Sequence, residues 1–194
     1  MDNAPGATMA VAAPLAGVLA LVLMMLIPLF TMRAIAEERR HRTWLLLITS
    51  PLTARQIVLG KYLGLLALLT VIVAACGLML GLLALGTHAD VGLLASSLLG
   101  VWLLAAAYAA LGLYCSALTA QPALAAAGAL LLSFALWLAE SGSPALRALS
   151  PNTHFQSLQT GLVSSADLAY FLLFTASCLW LAIRRVRQDT GERV

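Results

Sequence analysis

The chain has 194 residues, of which 62% are hydrophobic and only 10% are charged, and its mean hydropathy is +0.97. Soluble domains carry about 25% charged residues, so this sequence could not cover a water-exposed surface. The basic residues flank apolar segments instead of forming a patch with interleaved aromatic residues, which excludes a nucleic-acid partner. We therefore predict an all-α integral membrane protein with lipid around much of its surface.

Five apolar segments are predicted to be transmembrane helices, for which about 20 residues are needed. They cover residues 11–32, 62–86, 91–117, 122–139 and 168–183 of a single domain that spans residues 1–194. No basic residue precedes the first segment, so we expect it to be retained and not cleaved as a signal peptide. Cys76, Cys115 and Cys178 are widely spaced in apolar runs and are interpreted as core residues, not as a disulfide framework or a metal site.

Small residues recur within the predicted spans. Gly60 and Gly64, and likewise Gly77 and Gly81, are four residues apart in the second span, and residues 105–110 of the third are alanines around Tyr108. Such positions let helix backbones approach closely in lipid. Spacings of this kind also arise by chance in a chain with 14 glycines, so the sequence leaves close packing open.

Residues 33–61, between the first two spans, hold six of the eleven basic residues. The segment begins with charged residues that are predicted to extend the first helix: Glu37, Glu38, Arg39 and Arg40. Residues 43–50 then form an apolar stretch of about two helical turns, closed by Pro51, and Thr53 is the expected cap of the next helix. This stretch fits either a helix lying in the membrane interface or a docking surface for a cytoplasmic protein.

The basic residues also predict the orientation of the chain. Five spans place residues 33–61 and the C-terminal tail, which has four basic residues, on one side of the membrane, and only Arg147 on the other. Because positively charged loops remain in the cytoplasm, we predict a cytoplasmic C-terminus and an external N-terminus.

Residues 140–166, on the predicted outer side, are neither a span nor an ordinary loop. Thr153 and Gln156 have the spacing of a capping box, and Phe155, Leu158 and Leu162 follow at helical intervals. We predict one or two short helices that lie at the outer interface or dip into the bundle. Irregular backbone at that depth is tolerated only where protein or a water-filled cavity covers it.

Chemistry-bearing motifs are scarce in this sequence. The predicted spans contain no Asp, Glu, Lys, Arg or His, which argues against a proton relay. A metal site of His88, Asp90 and His154 is conceivable, but these histidines are better interpreted as solvated loop residues. Gly60-Lys61 is not a P-loop, because Tyr62 replaces the required Ser or Thr. We expect no catalytic residues, no metal and no cofactor in this chain, and ATP chemistry only on a partner.

Two stretches carry a resemblance to a known family. MRAIAEERRHRTWLLLITSPLTARQIVLGKYLG, which begins at Met32, is similar to the pattern M-R-x-x-A-E-E-R-R-x-G-T-x-E-L-L-L-T-S-P of ABC-2 type permeases, especially their gliding-motility-associated subgroup. LSPNTHFQSLQTGLVSSADLAYFLLF, which begins at Leu149, resembles the subgroup's L-S-P-x-x-H-F-x-S-x-x-x-G motif. Arg42 and Leu45 depart from the family's Gly and Glu, which affects the expected polar contacts of docking.

The resemblance implies a permease subunit of an ATP-binding cassette exporter in the bacterial inner membrane. Its expected partners are two cytoplasmic ATPase subunits, a second permease copy as homodimer or related heterodimer, and an auxiliary membrane or periplasmic subunit. A coupling segment is implied over residues 37–57, with contacts from Glu37, Glu38, Arg39, Arg40, Thr43, Trp44, Leu46, Leu47, Thr49, Ser50 and Pro51. An outer gate is implied at Ser150, Pro151, His154, Phe155, Ser157 and Gly161.

Two further expectations follow from the resemblance. The family has six spans, and this chain begins where the second would begin, so the expected fold is the six-helix fold without its first helix. The alternative function is a non-transporting membrane anchor, which would dock an ATPase or an assembly complex and transmit force without a substrate path.

Overall fold

The computed structural model describes residues 5–40, 53–85, 91–161 and 164–190. Every regular element in these ranges is helical. The long helices are α1 (Pro5–Thr31), α3 (Ala54–Leu85), α4 (Val91–Leu118), α5 (Pro122–Leu138) and α8 (Ser165–Thr190). Short helices are α2 (Ala36–Arg40), α6 (Pro144–Leu149) and α7 (Pro151–Gln159), and a 3-10 turn covers Ala139–Ser141.

Local sequence explains where several helices begin. Proline occupies the first position of α5, α6 and α7, where its fixed φ suits the helix and its missing N–H is not needed. At the start of α3, the Thr53 backbone N–H donates to Gln56 Oε1 at 2.9 Å, and the Gln56 N–H donates to Thr53 Oγ1 at 3.4 Å. This reciprocal pair is a capping box, and it confirms Thr53 as the cap.

Helix α4 occupies the centre of the bundle. About 78% of its spanning part is buried, against 11% for α3, and α1, α3, α5, α7 and α8 all pack against it. The alanine run of residues 105–110 is entirely buried. Small side chains on every face therefore allow five other helices to approach α4 at once.

The closest approaches to α4 occur at two glycines. A Cβ added at Gly112 would lie 2.9 Å from Thr31 Cβ on α1, and one at Gly100 would lie 3.0 Å from Leu158 Cβ on α7. By contrast, nothing lies within 4 Å of a Cβ at Gly60, Gly64 or Gly81. Of the paired glycines of α3, only Gly77 meets a close neighbour, because a Cβ there would lie 2.9 Å from Leu98 Cδ1 on α4.

Within the described ranges, five helices are long and apolar enough to cross a membrane. The candidate spans are Pro14–Arg40, Ala54–Leu82, Gly92–Leu118, Pro122–Ser141 and Ser165–Gln188. Their outward faces are rich in exposed leucine, as at Leu63, Leu78 and Leu131, which is the expected surface of helices surrounded by lipid. The prediction of an all-α fold with five transmembrane helices is confirmed.

Candidate functional site

One end of the bundle is organised around the turn that connects α1 to α2. Ser116 Oγ, on α4, accepts hydrogen bonds from the backbone N–H groups of Ile35 at 3.1 Å and Ala36 at 3.0 Å. The same hydroxyl donates to the Met32 carbonyl oxygen at 3.2 Å. Ser116, Ile35 and Ala36 are all buried. One side chain of α4 therefore holds both the start of α2 and the end of α1.

Helix α3 also holds α2 in place. Lys61 Nζ lies 2.5 Å from Glu38 Oε1 and donates to the Ala34 carbonyl oxygen as well. The side chains of Lys61 and Glu38 are 21% and 29% exposed, so this pair is screened less than a surface ion pair. A movement of α2 would therefore displace α3 and α4 together.

The predicted coupling residues divide between described and undescribed parts of the chain. Glu37, Glu38, Arg39 and Arg40 belong to α2, where the first three are half-buried and Arg40 is exposed. The other predicted contacts lie at positions 43–51, outside the described residues: Thr43, Trp44, Leu46, Leu47, Thr49, Ser50 and Pro51. What the geometry establishes is that α2 leads into that segment from a base fixed to two spans.

The predicted outer residues are brought together on and around α7. Ser150 precedes the helix and is fully buried, Pro151 is its first residue, and Phe155 is only 2% exposed. Ser157 is half-buried on the same helix. Gly161 ends this segment with a φ of 83°, a left-handed conformation that favours glycine. Helix α7 is thus inserted in the bundle and packs on α4 beside Gly100.

His154 connects α7 to its neighbours on one side. Its Nδ1 lies 2.6 Å from Asp167 Oδ1 on α8, and its Nε2 lies 3.3 Å from the Ala148 carbonyl oxygen on α6. The His154 ring stacks on Tyr170 at a centroid distance of 4.1 Å, and the Tyr170 hydroxyl donates to the Leu149 carbonyl oxygen at 2.6 Å. Both ring nitrogens face oxygen acceptors, so the orientation of the imidazole is fixed.

Glu140 connects α7 to α5 on the other side. Its carboxylate accepts hydrogen bonds from Asn152 Nδ2 at 2.5 Å and from Gln156 Nε2 at 2.6 Å. Asn152 and Gln156 are four residues apart and therefore share one face of α7. Glu140 follows α5 in the 3-10 turn, so α7 is held between α5 and α8.

Two sequence-based interpretations of the outer segment are wrong. Thr153 does not cap a helix, because Pro151 begins α7 two residues earlier, and Gln156 instead donates to Glu140. His154 is not a solvated loop residue, because it belongs to α7 and pairs with Asp167, which is 7% exposed. His88 and Asp90 lie outside the described residues. In the described ranges, no three His, Cys, Asp or Glu residues are grouped to hold a metal ion.

The roles of Glu140, Asp167 and Tyr170 were missed in the sequence. In the sequence, Asp167 and Tyr170 lie at the start of the fifth predicted span, and Glu140 begins the predicted outer segment. The sequence does indicate that Asp167 and Tyr170 share a helical face, because they are three residues apart. Their partners lie 13 and 21 residues away, a separation that local patterns do not encode.

Five apolar helices around a small-residue centre, with polar contacts concentrated at the two ends, define a multi-pass membrane protein. The family described as ABC-2 family transporter protein matches residues 3–184, nearly the whole chain. The chain therefore belongs to the ABC-2 transporter family, whose members are the membrane subunits of ATP-binding cassette transporters. No curated protein sequence matches it.

Proposed function

We propose that this chain is the permease subunit of an ATP-driven exporter, and that it couples ATP hydrolysis by a partner ATPase to substrate movement. The observation that carries the proposal is the fixed base of the coupling segment. Helix α2 is bonded to α4 through Ser116 and to α3 through Lys61. A force applied by an ATPase at α2 would be transmitted to both of these spans.

Conformational change follows from this mechanical connection. The ATPase dimer closes when it binds ATP, and the attached α2 then moves with the inner ends of α3 and α4. Because α7 packs on α4 at Gly100, the same movement reaches the outer segment. The permease then alternates between inward- and outward-facing arrangements, which is a two-state shift biased by the nucleotide state of the partner.

The proposal includes partners and a location. We infer a bacterial inner-membrane protein with its C-terminus in the cytoplasm, bound to two ATPase subunits and to a second permease copy. The motifs at Met32 and Leu149 are similar to those of the gliding-motility-associated subgroup, and we propose membership of that subgroup. Ser150, Pro151, His154, Phe155, Ser157 and Gly161 form the outer gate in this proposal.

Docking by the apolar segment gives the first testable prediction. Changing Leu46→Asp and Leu47→Asp places two charges in the surface proposed to enter the ATPase groove, and burying an unpaired charge is costly. We expect the ATPase, co-expressed from a neighbouring gene, to be lost from the purified complex while the permease still inserts in the membrane. Co-purification on a tag attached to the permease measures this.

A matched control uses two leucines at the opposite end of the bundle. Leu146 and Leu149 on α6 are 47% and 54% exposed, so Leu146→Asp with Leu149→Asp adds the same charges without touching the proposed docking surface. This variant should retain the ATPase. Retention of the ATPase by the Leu46 and Leu47 variant would refute docking there. If the rate of ATP hydrolysis by the intact complex does not change with any candidate substrate, the result would favour the non-transporting anchor function.

A further inference from the structure

A cavity of about 200 Å³ lies beneath α7, where α1, α4 and α5 meet it. Its walls are largely apolar and include Leu21, Met24, Leu104, Trp137 and Phe155. Its polar groups are the Tyr108 hydroxyl on α4 and three carboxamides, which all come from α7: Asn152, Gln156 and Gln159. The cavity is therefore amphipathic, with most of its polar groups on the helix that we assign to the outer gate.

Glu140 determines which atoms of the amides can reach a ligand. The nitrogens of Asn152 and Gln156 must face Glu140, because its carboxylate accepts a hydrogen bond from each. The carbonyl oxygens of both amides are thereby directed away from Glu140. Neither oxygen accepts a hydrogen bond from the part of the chain that the structure describes. This wall offers acceptors to a ligand that carries hydroxyl donors.

The charge around the cavity selects against anionic ligands. Among the described residues that line it, none carries a charge. Behind the amides lies the Glu140 carboxylate, which is already hydrogen-bonded to two of them. A phosphate or carboxylate head would face acceptors and a negative charge without a cation to compensate it, which is costly in a partly desolvated site.

The position of the cavity indicates how a ligand would enter. Leu21 on α1 and Trp137 on α5 line the cavity and are 48% and 39% exposed. Both helices are candidate spans, so the apolar part of the cavity faces the membrane. At about 200 Å³, the space is below the roughly 300–1,000 Å³ of typical ligand pockets. It fits a head group whose chain extends along the helices into lipid.

We propose that this cavity binds the uncharged, hydroxyl-bearing head of an amphiphilic molecule, which enters sideways from the membrane. The inference deepens the proposed function, because it names the substrate class that the outer gate would handle. The amides of α7 recognise the hydroxyl groups, Glu140 orients the amides, and Trp137 with Leu21 packs on the first part of the chain.

Quenching of tryptophan fluorescence tests this proposal on the isolated full-length chain in phosphatidylcholine nanodiscs. The probe is 1-(6,7-dibromostearoyl)glycerol, whose bromine atoms quench nearby indole rings. We expect saturable quenching in the unmodified chain and none in Trp137→Phe. The apparent affinity for this probe should be about tenfold or more higher than that for the same acyl chain on a phosphate head, which corresponds to a difference of about 1.4 kcal/mol. Brominated phosphatidylcholine gives the background of non-specific contact.

Two glycine variants separate the cavity from the general lipid surface. Gly17 lines the cavity, and a Cβ added there would have only Gln159 Nε2 nearby, at 3.7 Å, so Gly17→Leu fills the space without a severe clash. Gly64→Leu on α3 adds the same side chain where nothing lies within 4 Å. Saturable quenching should be lost in the first variant and retained in the second, with similar melting temperatures.

Three outcomes would overturn the proposal: quenching that rises linearly with probe, equal affinity for the phosphate head, or saturable quenching that survives in Gly17→Leu. A second copy of the chain covering Leu21 and Trp137 would produce the first of these. The experiment contains no ATPase, so a negative binding result would not contradict the permease assignment. Loss of ATPase docking would likewise leave the binding result standing.

Discussion

Two residues of α4, Gly112 and Ser116, determine how α1 crosses this helix. Gly112 lets the two helices approach until Thr31 lies directly against the α4 backbone. Thr31 is 1% exposed, and its hydroxyl donates to the Ile27 carbonyl oxygen of its own helix at 3.0 Å. One turn of helix later along α4, Ser116 receives the backbone that follows α1. The close crossing therefore brings the end of α1 within reach of Ser116.

Gly112→Ala should destabilise the protein by about 1–3 kcal/mol, because the added methyl group overpacks a buried contact. Its Cβ would lie 2.9 Å from Thr31 Cβ and 3.1 Å from Thr31 Cγ2. The double variant Gly112→Ala with Thr31→Ala should recover part of the loss, since Cγ2 and the hydroxyl are removed but Cβ remains. Unfolding in mixed detergent and SDS micelles measures these free energies.

The matched variant for this experiment is Gly128→Ala on α5. Nothing lies within 4 Å of a Cβ at Gly128, and alanine is the better helix former by about 1 kcal/mol. It should be neutral or slightly stabilising. Equal destabilisation by the two alanines would show that the Gly112 contact has no special role.

Helix α7 depends on its neighbours for its existence, because nine residues are too few for a stable isolated helix. Phe155 and Leu158 pack against α4, Glu140 bonds to one edge, and Asp167 pairs with His154 on the other. The polar contacts are directional and set how the helix is rotated, whereas the apolar contacts mainly keep it inserted. If α7 forms the proposed outer gate, that gate opens by exchanging a few hydrogen bonds.

A double-mutant cycle tests the contact between α7 and α8. His154→Ala and Asp167→Ala should each destabilise the protein, since each leaves the other partner poorly compensated in a largely buried place. We expect the double variant to be less destabilised than the sum of the single variants, with a coupling energy of about 1–3 kcal/mol. The same detergent unfolding assay measures the cycle.

Combining His154→Ala with Arg55→Ala provides the reference cycle. Arg55 is exposed near the start of α3, so its effect should add to that of His154 within the error of the assay. If the effects are additive in both cycles, His154 and Asp167 have no measurable coupling energy, and the proposed contact does not stabilise the protein.

The basic residues of the described part of the chain are concentrated at one end of the bundle. Consecutive spans cross a membrane in opposite directions, which places Arg33, Lys61 and Arg184 at one end and Arg147 at the other. Arg184 lies over the Trp180 ring at 5.4 Å, an arrangement common where a helix leaves the membrane. The asymmetry favours a cytoplasmic location for the end that includes α2.

Cysteine labelling in intact cells tests this orientation. Ser143→Cys introduces an exposed thiol beside α6, and Gln188→Cys introduces one near the end of α8. A membrane-impermeant maleimide should label the first and not the second until the cells are opened. The natural cysteines give the baseline in the unmodified chain, and Cys115 and Cys178 are buried. The reverse labelling pattern would contradict the predicted topology.

The helical class was predictable from the sequence because a spanning segment must satisfy its own backbone hydrogen bonds. That requirement turns a long apolar run into a helix almost regardless of its neighbours. The capping residue Thr53 was also predictable, because its partner Gln56 is three residues away. Local chemistry therefore encodes which segments are helical and where several of them begin.

The functional contacts were less predictable because their partners are distant in the chain. Ser116 is 80 residues from Ala36, and a lone serine within an apolar run gives no sign of accepting two backbone N–H groups. The start of α7 was misplaced because Pro151 and Thr153 both signal a helix beginning, and the fixed φ of proline prevailed. Neither the pairing of His154 nor the cavity beneath α7 has a local signature.

The unequal burial of α3 and α4 has a consequence for evolutionary divergence. The outward face of α3 is exposed to lipid, where any residue of similar hydropathy is accommodated. We therefore expect Leu63, Leu78 and Leu82 to vary freely among homologues. Most side chains in the middle of α4, from Gly100 to Ala117, are instead buried against other helices, so substitutions there require compensating changes elsewhere. Homologues should therefore retain the alanines and glycines of α4 long after α3 has become unrecognisable.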